Sequence, residues 1–151
     1  MKKIIILLLA GMLVGVTAAF GAAGDDIIGR WSNAEKDAKI EIFHCGEKYC
    51  GKIVWLKTPD YPVGSREGTP GTPKIDIHNP DPALQSRPII GLLIVKDFVY
   101  GGDSLWKDGT VYDPKVGKTY HGKMTLKSPH QLDLRGFIGI SLFGRTTSWT
   151  R

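Results

Sequence analysis

The densest cluster of reactive side chains in the sequence is His44-Cys45 and Cys50. The two cysteines flank Gly46-Glu47-Lys48-Tyr49, between strand-like runs at 39–44 and 51–56. Opposed across a hairpin with a four-residue loop, they stand about 4.5 to 5.5 Å apart between Cα atoms. That separation suits a disulfide. So short a loop limits its stabilisation to roughly 2 kcal/mol. Free thiols, or a metal held by His44, Cys45 and Cys50, are the alternatives. Three ligands suffice for a catalytic zinc, but no fourth candidate follows at a recognisable spacing.

Other polar groups point to binding more than to catalysis. Asp76-Ile77-His78-Asn79-Pro80 reads as a loop held by side-chain to backbone hydrogen bonds. The same Asp76 and Asn79, together with Arg87 and Arg145, are candidates for a polar site at the mouth of a cavity. Arg135 and Arg145 each sit beside a glycine, and a guanidinium is suited to gripping a carboxylate headgroup. Trp55, Trp106 and Tyr120 are the aromatic candidates for lining a pocket. Asp113, before Pro114, is a turn former before it is an acid catalyst. The histidines (His44, His78, His121, His130) show neither H-x-H nor H-E-x-x-H spacing. No G-x-S-x-G elbow, P-loop or G-x-G-x-x-G occurs. No catalytic residue, metal or cofactor is therefore expected.

The compartment is read from the first residues. Met1-Lys2-Lys3 precedes an apolar run over 4–16 and small residues over 17–24, the layout of a cleaved signal peptide. The run is shorter than the roughly 20 residues that span a bilayer. We expect a leader at 1–23, cut near Gly21, Ala23 or Gly24, and a single domain over 24–151. The expected location is periplasmic or secreted, with no transmembrane span left after cleavage. Loss of Lys2 and Lys3 takes the formal charge from +5 to +3. The basic residues (Lys36, Lys48, Lys57, Lys96, Lys107, Lys123, Lys127) are interleaved with acids, unlike the basic stripe of a nucleic-acid binder.

The elements that must position these groups are strands. Residues 38–43 alternate, with Ile40 and Ile42 on one side and Lys39 and Glu41 on the other. Residues 119–126 alternate best: Tyr120, Gly122, Met124 and Leu126 point inward. Leu132 and Leu134 repeat the pattern, as do Thr147 and Trp149. Residues 52–57 and 89–95 are denser apolar runs. Asp108-Gly109 signals a two-residue hairpin, and 113–117 the next turn. About eight strands with frequent turns indicate an antiparallel sandwich or barrel. Residues 58–82 hold six of the nine prolines and read as one long connection, of a length usually functional. One helical turn is expected within 82–87. The chain stops inside its last strand, and we expect that strand to close the sheet.

The chain also resembles a known family. Gly29-Arg30-Trp31 opening the first strand and Arg151 closing the last are similar to the lipocalin and calycin plan. There the first-strand Trp plugs one barrel end and a late basic residue packs across it. The wider pattern comprises 45–53, Asp76-x-x-Asn79-Pro80-Asp81, Arg87-Pro88 with Gly91, and Tyr112-Asp113-Pro114 with Gly117-Lys118-Thr119-Tyr120. It continues with Arg135-Gly136 and Phe143-Gly144-Arg145 through Trp149-Thr150-Arg151. Together these resemble the bacterial family called domain of unknown function 2147, from about 29 to 151. Gln85 stands where a second arginine before Arg87 is expected.

The resemblance implies an all-β, eight-stranded, antiparallel up-and-down barrel with one long Pro/Gly-rich loop, and no established activity. It assigns Trp31, Trp149 and Arg151 to the barrel end. An eight-stranded barrel is just wide enough to be filled by side chains or to hold one small ligand. Three functions follow as expectations. The first is an exported protein binding a small apolar or amphipathic ligand in the barrel. The second is a non-enzymatic envelope protein with a filled barrel, whose 58–82 loop meets a protein partner. The third, an enzyme, needs titratable groups converging in a cleft.

Overall fold

Alternation of apolar and polar residues sets the strands in the computed structural model, which describes residues 24–151. The leader expected at 1–23, with Gly21 and Ala23, lies outside the described residues. Eight strands form: β1 (Gly29–Ser32), β2 (Ala38–Cys45), β3 (Lys48–Leu56), β4 (Leu93–Tyr100), β5 (Leu105–Asp113), β6 (Lys118–Ser128), β7 (Gln131–Phe137) and β8 (Arg145–Thr150). Each pairs antiparallel with the next, and β8 returns to β1 through Ser32 and Thr150, closing an up-and-down barrel. Ala38, Ile40 and Ile42 of β2 are buried, as are Met124 of β6 and Leu132 and Leu134 of β7. Among the described residues no helix is long and apolar enough to cross a membrane, which says nothing of strands.

Three local expectations need correction. Asp108-Gly109 is a bulge inside a continuous β5, not a hairpin: the register shifts between Trp106 and Gly109. Asp108 adopts the left-handed backbone (φ 62°), which an Asp-Gly pair supports in a bulge as well as in a turn. Asp97 of the paired strand does the same (φ 61°). The bend admits the ring of Phe98. A Cβ at Gly109 would lie 2.2 Å from that ring, and one at Gly122 would lie 2.4 Å from it. The chain reverses instead at 101–104, where Gly102, Asp103 and Ser104 have positive φ.

The cysteine hairpin is tighter than expected, with only Gly46-Glu47 between the strands. Cys45 pairs in register with Lys48, and Cys50 with Phe43. The two cysteines bond diagonally, as a disulfide with Cα atoms 5.8 Å apart. The apolar run at 89–95 enters β4 only at Leu93, while Ile89 and Leu92 are buried from the preceding loop. The long connection therefore spans 57–92, interrupted by a 3-10 turn, Pro82–Leu84, whose Asp81 side chain accepts from the Ala83 amide.

One end of the barrel is sealed. Trp31, Phe98, Trp106, Met124 and Leu132 are almost wholly buried there, each removing apolar area worth about 1.5–3 kcal/mol. The 3-10 turn Asp25–Ile27 folds across this end. Trp31 Nε1 donates to the Ile27 carbonyl at 2.8 Å, and Trp106 Nε1 to that of Gly24 at 3.2 Å. The Arg151 guanidinium lies 4.2 Å from the Trp31 ring. It also donates to the carbonyls of Asp26, Ile28 and Pro129.

Candidate functional site

Toward the other end the inward-facing side chains become small. The register places Gly136 opposite Arg145, Leu134 opposite Thr147 and Leu132 opposite Trp149, stepping from mouth to floor. On β2, Ala38 sits above Ile40 and Ile42. Side chains that fill the sealed half therefore leave the upper half empty. The result is a cavity of about 930 Å³, near the upper end of the roughly 300–1,000 Å³ usual for ligand pockets. Ile40, Ile53, Ile94, Leu134 and Trp149 make its apolar inner wall, and Val111 and Tyr120 continue it upward.

Four connections meet at the mouth, and two of them supply its apolar residues. The 57–92 loop contributes Tyr61, Ile75, Ile77 and Ile89, and the β7–β8 connection contributes Ile138 and Phe143. Charged residues stand around this rim, among them Glu35, Asp37, Lys57, Glu67, Lys74, Lys115 and Arg145. The acids have partners: Glu67 meets His78 at 3.2 Å, and Asp37 meets Lys115 at 3.2 Å. Asn33 donates to Asp37, and this bond, with Lys115 beside it, holds the Asp37 carboxyl below the usual carboxylate range. Glu35 accepts from Asn33. Among the described residues the side chains of Lys57, Lys74 and Arg145 make no hydrogen bond or ion pair. Glu35 and Asp113 likewise have no basic partner among the described residues. The mouth thus carries unpaired charge of both signs above an apolar chamber, with Arg145 among the free bases.

The loop that forms half of this mouth is fixed by a buried carboxylate. Asp76, with no exposure at all, accepts from Tyr112 Oη at 2.6 Å, Asn79 Nδ2 at 2.8 Å and Arg87 at 3.0 Å. Its amide donates to the Arg87 carbonyl, while the Asn79 amide donates to the Asp76 carbonyl. Burial first, then the hydrogen bond to Asp76, pushes the Tyr112 phenol up to about 12, so it remains a donor. Gly117 completes the fit. Its backbone is left-handed (φ 66°), and a Cβ there would stand 1.8 Å from the His78 carbonyl.

The residues singled out for a ligand fall into three groups. Tyr120 and Arg145 line the cavity. Asp76, Asn79 and Arg87 are brought together, but they bind one another and Tyr112 rather than facing the cavity. Trp55 and Trp106 do not touch it. A register shift between Lys39 and Ile40 reverses the side-chain alternation of β3, so Leu56 turns inward and Trp55 outward. Trp55 packs under Lys39, whose Nζ is 5.4 Å from the ring. Trp106 lies in the sealed end against Tyr49 and Tyr100. Trp31 and Arg151 stack at that end, whereas Trp149 belongs to the cavity wall. His78 faces Glu67, not Asp76.

Sequence reasoning missed Tyr112 as the loop's third anchor, and missed the 137–143 segment at the mouth. The signal was present in Phe137-Ile138-Gly139-Ile140-Ser141-Leu142-Phe143, a stretch too apolar for a solvated turn and without a strand's alternation.

Comparison with known proteins places this geometry in a context. The family described as an uncharacterized protein conserved in bacteria, domain of unknown function 2147, matches residues 29–151. Among solved structures the chain is similar to HP1028 from the human pathogen Helicobacter pylori, a protein described as belonging to the lipocalin family. The two share 22% identity with a TM-score of 0.67, over 82% of this chain and 81% of that one. At that identity the likeness is one of fold. No curated protein matches the sequence.

Proposed function

The chain belongs to this family of uncharacterised bacterial proteins, and we propose that its barrel binds one small amphipathic molecule, apolar in body and anionic at one end. The observation that carries this reading is the cavity itself, apolar below and edged by Arg145 without a partner. An arginine kept at a mouth with its donors free matches a carboxylate or phosphate-like head. Ile40, Ile53, Ile94 and Leu134 match a chain or ring system such as a fatty or isoprenoid acid. The lipocalin-like fold supports the reading by analogy. The reading is non-enzymatic: a container whose specificity lies in its rim. A filled-barrel interaction protein needs a solid interior, which the cavity does not offer. Export completes the proposal, since a leader at 1–23 and the Cys45–Cys50 disulfide suit an oxidising compartment.

The test is titration of the purified protein with a panel of fatty and isoprenoid acids, followed by calorimetry and native mass spectrometry. A stoichiometric complex is expected. Arg145→Gln should weaken it by about tenfold to a hundredfold, the loss of a hydrogen bond to a charged group. Thr147→Trp should abolish binding by filling the chamber, with little change in melting temperature. A protein indifferent to the whole panel, or a Thr147→Trp variant that binds like the wild type, would overturn the proposal.

A further inference from the structure

Outside the strands, the large exposed apolar side chains of the described residues gather at one end of the barrel. Every one of them lies in one of three connections at the mouth, 57–92, 114–117 and 138–144. The β7–β8 connection holds most of them: Ile138, Ile140, Leu142 and Phe143 are between 60% and 79% exposed. The lip is held open. Arg135 Nε donates to the Ser141 carbonyl at 2.8 Å and another of its nitrogens to that of Leu142 at 3.1 Å. A third bond, to Thr146 Oγ1, ties the same guanidinium to β8. Two carbonyls of the lip are thereby held while its apolar side chains remain in water.

Charge is distributed to match. Residues 114–151 contain four lysines, three arginines and a single acid, Asp133, whereas residues 24–113 contain fourteen acids and eleven bases. Basic residues are therefore in excess in the last third of the chain. Of the seven bases, Lys115 pairs with Asp37, Arg145 lines the cavity and Arg151 covers the sealed end. Lys118, Lys123, Lys127 and Arg135 stand on the neighbouring strands β6 and β7 with Asp133. There Lys123 pairs in register with Arg135, on the side opposite buried Met124 and Leu134.

We propose that this lip and face dock the protein on an anionic lipid surface, with Leu142 and Phe143 entering the acyl boundary. An apolar tip beside a field of lysine and arginine is the combination that interfacial binding requires. The lip is also continuous with the cavity wall through Ile138 and Phe143. A docked barrel therefore presents its chamber to the bilayer, where an amphipathic ligand resides. The inference stands on the lip and the charge and does not depend on the chamber being occupied.

Sedimentation with vesicles tests it, using protein whose N-terminus has been defined by mass spectrometry. Wild type should co-sediment with phosphatidylglycerol vesicles, release on addition of salt, and bind pure phosphatidylcholine vesicles far less. Leu142→Ser/Phe143→Ser should bind at least about tenfold more weakly, since two apolar side chains no longer leave water. Both residues are exposed, so its melting temperature should match the wild type. Absence of wild-type binding, or undiminished binding by the variant, would overturn the proposal. A dimer in sedimentation velocity that the same substitutions dissociate would also overturn it, and would give the lip to a second copy of the chain.

Discussion

Each end of the barrel has a tryptophan, and an arginine from the last stretch of chain, put to opposite uses. At the sealed end Arg151 covers the Trp31 ring and each of its three guanidinium nitrogens donates to a carbonyl. At the open end Arg145 stands over a cavity with Trp149 in its wall and makes no bond among the described residues. Identical residue types thus divide into structure and site by whether their polar groups are satisfied. A satisfied arginine contributes to folding. One bound only by water can exchange that water for a ligand at no cost to the fold.

The largest effect that separates the two ends is on stability. Trp31→Ala should cost about 3–5 kcal/mol, the range for emptying a large aromatic site in a packed core. Arg145→Ala should cost less than about 0.5 kcal/mol, as for a surface group without partners. Urea unfolding monitored by circular dichroism measures both. A loss at Arg145 approaching that at Trp31 would erase the distinction.

A smaller effect sharpens it, because the open end has a structural part of its own. Asp76 binds no ligand in this arrangement, yet three donors converge on it. Asp76→Ala leaves the Tyr112 hydroxyl, the Asn79 amide and a half-exposed Arg87 without their acceptor. We expect about 2–4 kcal/mol of destabilisation, with protease sensitivity appearing first in the 57–92 loop. Unchanged proteolysis of that loop would show that the carboxylate does not hold it.

How much of this was legible in the sequence follows from the range of the forces involved. Alternation exposed the inward faces of β2, β6 and β7, because pleating is local and burial repeats every second residue. The Arg151–Trp31 stack entered through family resemblance, since nothing local joins residues so far apart. Trp55 was misplaced by one register shift opposite Lys39, which reverses every side chain beyond it. Asp108-Gly109 was misread because the dipeptide specifies only a left-handed backbone. The choice between turn and bulge is made by Phe98, which needs space over Gly109 and Gly122. The Asp76 cluster was visible as Asp-x-x-Asn, but its role rests on Tyr112, brought in from another strand. The site proper, an absence of side-chain volume beside Gly136 and Thr147, has no residue to announce it.

The smallest effect compares the ends through their tyrosines. Tyr49 belongs to the sealed end, where its hydroxyl donates to Asp25 at 3.0 Å. Tyr112 belongs to the open end, donating to Asp76. Burial first, and then the neighbouring carboxylate, pushes each phenol up to about 12. For a group whose folded value is raised above about 10, the contribution is complete below pH 10 and disappears as pH rises through the folded value. Stability should therefore fall between about pH 10 and 12. A tyrosinate absorbance titration should show two late steps in that interval. Tyr112→Phe and Tyr49→Phe should each remove one step. They should differ in what loosens as the remaining phenol ionises. With Tyr112 intact, alkali should first expose the 57–92 loop to protease. With Tyr49 alone intact, alkali should first free the Asp25–Ile27 turn that seals the barrel. If both variants open at the same place, the two ends are not independent, and ionisation at either one unfolds the barrel as a unit.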